Sequence, residues 1–156
     1  FKAEYDGHRT IRVQEFDWKN DKMVGPRKII VNKGVHPEEK PIWIEGPHMY
    51  KINGKYFLTD ADGGTSVNHS EVIFRSASPW GPFKAWKENP ILTQRHLDPA
   101  RPNPITCAGH ADILQTPEGD WWGVFLACRP IDNKFEKSGT NVVTADVNLV
   151  TAIMNA

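Results

Sequence analysis

A single carboxylate, Glu45, stands in "WIEGPHMYKINGKYFLTDADGG" between an apolar pair and a Gly-Pro-His turn, where a strand is predicted to begin. Trp43 and Ile44 beside it could desolvate the side chain and raise its pKa, which is what a general acid needs near neutral pH. A solvated strand-end glutamate is the alternative. Asn53-Gly54 is a two-residue hairpin signal, and counting outward from it places Asp62 opposite Glu45, where a like charge would raise Glu45 further. Asp60, Asp62, Gly63 and Gly64 could equally build a turn, and "DADGGT" has too few ligands for an EF-hand calcium loop. His48, His69 and His110 are candidates for a polar pocket. Their spacing is not that of a zinc site, and a backbone-bonded structural histidine is the alternative for each.

Other chemistries find less support. No GxSxG elbow or phosphate loop is present, and neither Cys107 nor Cys128 has a histidine in a nucleophile-activating order. Trp80, Trp86, Trp121 and Trp122 could stack on sugar rings, but adjacent tryptophans in a strand face opposite ways, and both members of "WW" are assigned to packing. A turn at 117–119 would put Cys107 nearly opposite Cys128, as a cross-strand contact or as two separate buried thiols. A hydrolase built on paired carboxylates survives, because sugar hydrolysis generally needs an acid on one face of the ring and a base or nucleophile on the other.

The elements that must position these residues are strands. Helical periodicity is almost absent, whereas "RTIRVQEFD", "KYFLTDAD", "SEVIFRS" and "WWGVFLACR" recur between Gly, Pro, Asn and Asp clusters, which predicts an all-β chain. A second hairpin is expected around Glu118-Gly119. The segments "GPHMYKINGKYFL" and "GHADILQTPEGDWWGVFL" share a Gly, a His, an apolar strand, a turn glycine and an aromatic pair. Gly54 and Gly119 lie 65 residues apart, a period that suits β-propeller blades better than a sandwich. The proline-rich stretch from Pro79 to Pro104 is expected to be a loop crossing between blades. Residues 1–130 are assigned to the propeller portion and 131–156 to a tail whose β-branched run has no clear partner.

The chain has 156 residues, with Lys plus Arg equal to Asp plus Glu at 19 each, so no basic stripe or acidic tail suggests nucleic acid or a membrane surface. No apolar run approaches the roughly 20 residues of a membrane span. The expected partner is therefore neutral, and nothing in the sequence fixes a compartment.

Three stretches, "IEGPHMYKINGKYFL", "DADGGTSVNHSEVIFRSASPWGPFKAWKENPILTQR" and "AGHADILQTPEGDWWGVFLACRP", resemble glycoside hydrolase family 43, the five-bladed propellers that include β-xylosidases and α-L-arabinofuranosidases. The resemblance implies a partial propeller of two to three blades, from the end of blade two to the start of blade four. It implies Glu45 as the general acid of the "E-[GA]-P-H" motif and His110 of "GHA" at the pocket base, near the sugar and near a metal. Thr65 and His69 of "GGTSVNHS" are implied as further pocket residues. Neither of the family's two aspartates, the base and the residue that tunes the acid, has a match in this sequence; Asp62 is the local candidate for tuning. The implied partner is a xylo- or arabino-oligosaccharide. No required cofactor is implied, although a central calcium ion is compatible with the family pattern. Where relatives carry a "GRET"-like segment this chain has "KSGTNVVT", so residues 131–156 are expected to be a divergent, truncated or frame-shifted tail. A non-catalytic sugar-binding propeller fragment is the alternative function.

Overall fold

The computed structural model describes residues 1–98 and 100–129 and the backbone of 140–146. Among them the chain is built from strands, with one 3-10 turn at Pro37–Glu39 and no helix long and apolar enough to cross a membrane. β1 (Thr10–Asp17) and β2 (Lys22–Asn32) form a two-stranded antiparallel hairpin. β3 (Glu45–Ile52), β4 (Lys55–Asp62), β5 (Ser70–Ser76) and β6 (Lys84–Ala85) follow in spatial order as one sheet, with β7 (Leu92–Thr93) also paired to β5. β8 (Thr106–Gln115), β9 (Trp121–Cys128) and β10 (Thr140–Asp146) make the third sheet. One whole blade thus lies between parts of two others, a partial β-propeller.

The hairpin turns follow their chemistry. Asn53 and Gly54 take φ of 48° and 76°, the left-handed pair that a two-residue turn between Ile52 and Lys55 requires. At Glu118-Gly119 the Gly119 N–H donates to Thr116 O at 2.9 Å, closing the loop between β8 and β9.

β4 is the central strand, and residues 57 to 61 are buried without a break because both faces of the sheet are covered. On one face Leu58, Val72 and Phe74 pack with Ile11, Val31 and Ile44 of the preceding hairpin and its connection. On the other, Phe57 and Ile73 pack with Ile113 of β8, with Tyr50, Ile52, Trp86 and Trp121 around them. Each of these large side chains contributes roughly 1.5–3 kcal/mol on burial.

Three expectations need correction. The proline-rich stretch is not only a crossing: it supplies β6 and β7, two short pieces of the blade's outer edge. Between them the Asn89 side chain acts as a strand, its Nδ2 donating to Ile73 O and its Oδ1 accepting from Ile73 N–H, each at 2.9 Å. Trp121 packs as expected, but Trp122 is 42% exposed beside its register partner Leu114, 51% exposed, so alternation separated the two rings without identifying which face is covered. Cys128 opposes Thr106, not Cys107, because two register shifts interrupt the β8–β9 ladder, and no disulfide joins the cysteines. Within the tail, the backbone of 140–146 pairs with β9 and so gives the β-branched run a partner; residues 131–139 and 147–156 lie outside the described residues.

Candidate active site

The inner strands β3 and β8 begin alike. In β3 the ladder runs Glu45↔Ala61, then shifts before His48↔Thr59; in β8 it runs Gly109↔Leu126, then shifts before Asp112↔Val124. Each bulge has a left-handed residue just after the first pair, Gly46 at φ 58° and His110 at φ 55°. The repeated segments therefore match with Gly46 in the place of His110. A bulge of this kind bends the strand and re-aims the side chains around it.

The two bulges meet. A Cβ on Gly46 would collide with His110 Nε2 and lie 2.8 Å from its Cδ2, so the imidazole packs face-on against a backbone that only glycine can present. This sets the His110 ring against the residue that follows Glu45 in β3. His69, 0% exposed, lies behind, with its ring centroid 6.5 Å from that of His110. Its Nδ1–H donates to Cys107 O at 2.8 Å, which leaves Nε2 as the lone-pair nitrogen, buried against the Gly109 backbone. Burial lowers the His69 pKa, His110 lowers it further, and the Cys107 carbonyl and the Glu45 charge oppose them. The imidazole is accordingly neutral at neutral pH and fixed in one tautomer.

Of the residues singled out from sequence, Glu45, His69 and His110 come together. Thr65 is exposed on the turn that follows Gly64. Ile44 points into the core on the far side, 1% exposed, and Trp43 lies across Gly64, where a Cβ would collide with its Cε3. His48 contacts Asp112, Nδ1 to Oδ1 at 3.6 Å, and Tyr50 donates to the same carboxylate oxygen at 2.5 Å while accepting from Ile113 N–H at 3.0 Å.

Asp62 is not opposite Glu45. The bulge moves the register by one residue, so Ala61 takes that place and Asp62 faces the other side of the sheet, with Oδ2 against Gly34 and Pro41 in a cleft of about 270 Å³ that Arg95 also lines. Burial pushes Asp62 up to about 6, while the Gly63 amide, Arg95 and His36 pull it down. Asp60, fully buried on that same face, is held well above the carboxylate range by burial and by Asp62. Sequence reasoning missed Glu71, the acid inside "SEVIF". It is 1% exposed and belongs to the rung Glu45–Ala61–Glu71 across β3, β4 and β5. Burial pushes it up to about 8 against the hydrogen bond from Ala111 N–H. A glutamate inside the apolar strand run "SEVIF" was the available signal.

The donor set does not form a calcium cage. Calcium takes six to eight oxygens, whereas this site offers one carboxylate and two imidazoles. Among the described residues, three ligating side chains gather within 4.8 Å only at the exposed His36, Glu38 and Glu39.

A propeller with a carboxyl group and two imidazoles converging where two inner strands begin is a fold and site suited to proton transfer on a polar ligand. The family model for glycosyl hydrolases family 43 matches residues 1–149, and the chain belongs to that family. It is 42% identical over 103 residues to a non-reducing end α-L-arabinofuranosidase of Bacteroides ovatus, covering 66% of this chain and 19% of that protein. It is 38% identical over 133 residues to a β-xylosidase of Bacillus subtilis, covering 83% and 24%. Among solved structures, a family-43 enzyme from a capybara gut metagenome superposes with a TM-score of 0.82 at 42% identity, covering 93% of this chain and 26% of that one. The chain thus spans a quarter or less of the length of these two curated relatives.

Proposed function

We propose that the whole protein is an inverting glycosidase that releases xylosyl or arabinofuranosyl units from plant oligo- or polysaccharides, with Glu45 as its general acid. The observation that carries this reading is the placement of Glu45 at the β3 bulge, against the Gly46–His110 contact. Glu45 would protonate the glycosidic oxygen as the bond to the anomeric carbon breaks, while a water attacks from the opposite face. His110, held rigidly in place, would contact the sugar, and neutral His69 would keep the floor beneath it dry and fixed. Thr65, exposed, would touch a longer ligand. The two relatives' names, an arabinofuranosidase and a β-xylosidase, support the substrate class.

The family's water-activating aspartate has no match in this sequence, so the chain alone should turn over very slowly. General acid–base help is worth about 10²–10⁴-fold. Proton transfer from Glu45 needs no cofactor. The reading is tested with nitrophenyl xyloside and arabinofuranoside. The whole protein should hydrolyse at least one of them, and the 156-residue chain neither. Hydrolysis by the whole protein that is unchanged in Glu45→Gln would overturn the assignment.

A further inference from the structure

The rung that carries Glu45 ends, two strand spacings or about 10 Å away, on Glu71. Its side chain leaves its own blade and crosses to β8, where Oε2 accepts the Ala111 N–H at 2.7 Å. Two residues earlier, His69 crosses in the same direction and donates to Cys107 O. The two side chains grip the segment 107–111 on either side of His110. That segment is under strain, because Cys107 and His110 are both left-handed, with φ of 54° and 55°, and neither is glycine. Left-handed backbone is costly at non-glycine residues, and the bonds from Glu71 and His69, whose loss would strand buried polar groups, oppose its release.

We propose that Glu71 is a positioning residue for the sugar site: by binding the Ala111 amide it holds the β8 bulge in the left-handed form that sets the His110 imidazole against Gly46, beside Glu45. The catalytic meaning of this clamp rests on the function proposed above; its geometry does not. Glu71 touches no substrate. It acts through backbone, from a neighbouring blade, so that the packing of two blades and the aim of one imidazole are coupled. A side chain needed only to fill the interface would not require an acceptor at this point. Glutamine, with a carbonyl oxygen at the same reach, should therefore serve nearly as well as glutamate, whereas alanine should not.

The test uses the 156-residue chain, with amide exchange and imidazole resonances read by NMR. In Glu71→Ala the Ala111 amide should exchange at least tenfold faster relative to the amides of Leu58 and Val31, and the His110 ring resonances should shift. Glu71→Gln should restore both. Unchanged Ala111 exchange and His110 resonances in Glu71→Ala would overturn the proposal, as would Gln and Ala variants that lose protection equally at every amide. Should Glu71→Ala fail to fold, Glu71→Asp, one methylene too short to reach Ala111, replaces it. A native-like Gln variant beside a shifted Asp variant supports the clamp, and two variants that behave alike refute it. In the whole protein, kcat/KM should fall in the Ala variant and persist in the Gln variant. A whole protein with no glycosidase activity would count against the proposed function, and the NMR comparison would still decide the clamp.

Discussion

Replacing Gly46 with alanine probes the contact on which the site geometry depends. The new methyl would lie 2.8 Å from His110 Cδ2 and 3.0 Å from Cε1. Carbon pairs are comfortable at about 3.5–4.0 Å, so the ring must retreat by about 1 Å. Two costs add: left-handed φ at a non-glycine residue, roughly 1–2 kcal/mol, and overpacking, typically about 1–3 kcal/mol. The structure provides a control that separates them. Gly54 is also left-handed, at φ 76°, but a Cβ there meets nothing within 4 Å, so Gly54→Ala should cost only the backbone term. Urea unfolding of the two variants should differ by about 1–3 kcal/mol, with Gly46→Ala the less stable. At an m-value of about 1–3 kcal/mol/M, that separates the midpoints by roughly 1 M. His110 ring resonances should move in Gly46→Ala alone. Equal destabilisation with an unmoved His110 would refute the packing of Gly46 on the imidazole.

Further outcomes follow from the buried acids and the exposed face. Burial holds Asp62 at about 6 and Glu71 at about 8, above their ordinary 3.8 and 4.5, so the folded chain retains protons that the unfolded chain has released. Their contribution to stability is full below about pH 4 and is lost as pH rises, through about 6 for Asp62 and about 8 for Glu71. His69 works oppositely: its lowered pKa costs stability as pH falls below 6.5. Denaturation at several pH values should show that Asp62→Asn lessens the decline between about pH 4 and 6, by no more than about 3 kcal/mol at 1.36 kcal/mol per pKa unit, while the part due to Glu71 remains. A wild-type profile flat from pH 4 to 8 would contradict the burial of both acids. On the exposed face of the β8–β9 hairpin, Leu114→Lys and Trp122→Lys should each change stability in urea unfolding by about 0.5 kcal/mol or less, and a loss of several kcal/mol at either would contradict their exposure.

The fold was legible where local chemistry is decisive. Asn53-Gly54 fixes a turn by its φ requirement, and the second hairpin follows from Glu118-Gly119, so the paired strands and the all-β class could be read directly. Glu45 and His110 stand out in the sequence only through motif and resemblance. What failed was counting across a bulge. Nothing in "EGPHMYKI" announces that Gly46 takes a left-handed φ and adds a residue, and a one-residue shift moves Asp62 to the opposite face of the sheet. The β8 bulges likewise set Thr106, the neighbour of Cys107, opposite Cys128. Glu71 escaped notice because its partner, Ala111, lies on another blade 40 residues away, a contact that no strand pattern encodes. Trp122 shows a related limit, since period-2 alternation separates two faces without saying which one is covered.

If Glu45 delivers the proton to the departing oxygen, as proposed, the cost of removing it must depend on the leaving group. In the whole protein, Glu45→Gln should lower kcat on unactivated xylo- or arabino-oligosaccharides by about 10²–10⁴-fold. On nitrophenyl glycosides, whose phenolate departs with little protonation, the loss should be much smaller. Equal losses on both substrate classes, or none on either, would contradict the assignment of Glu45 as the general acid.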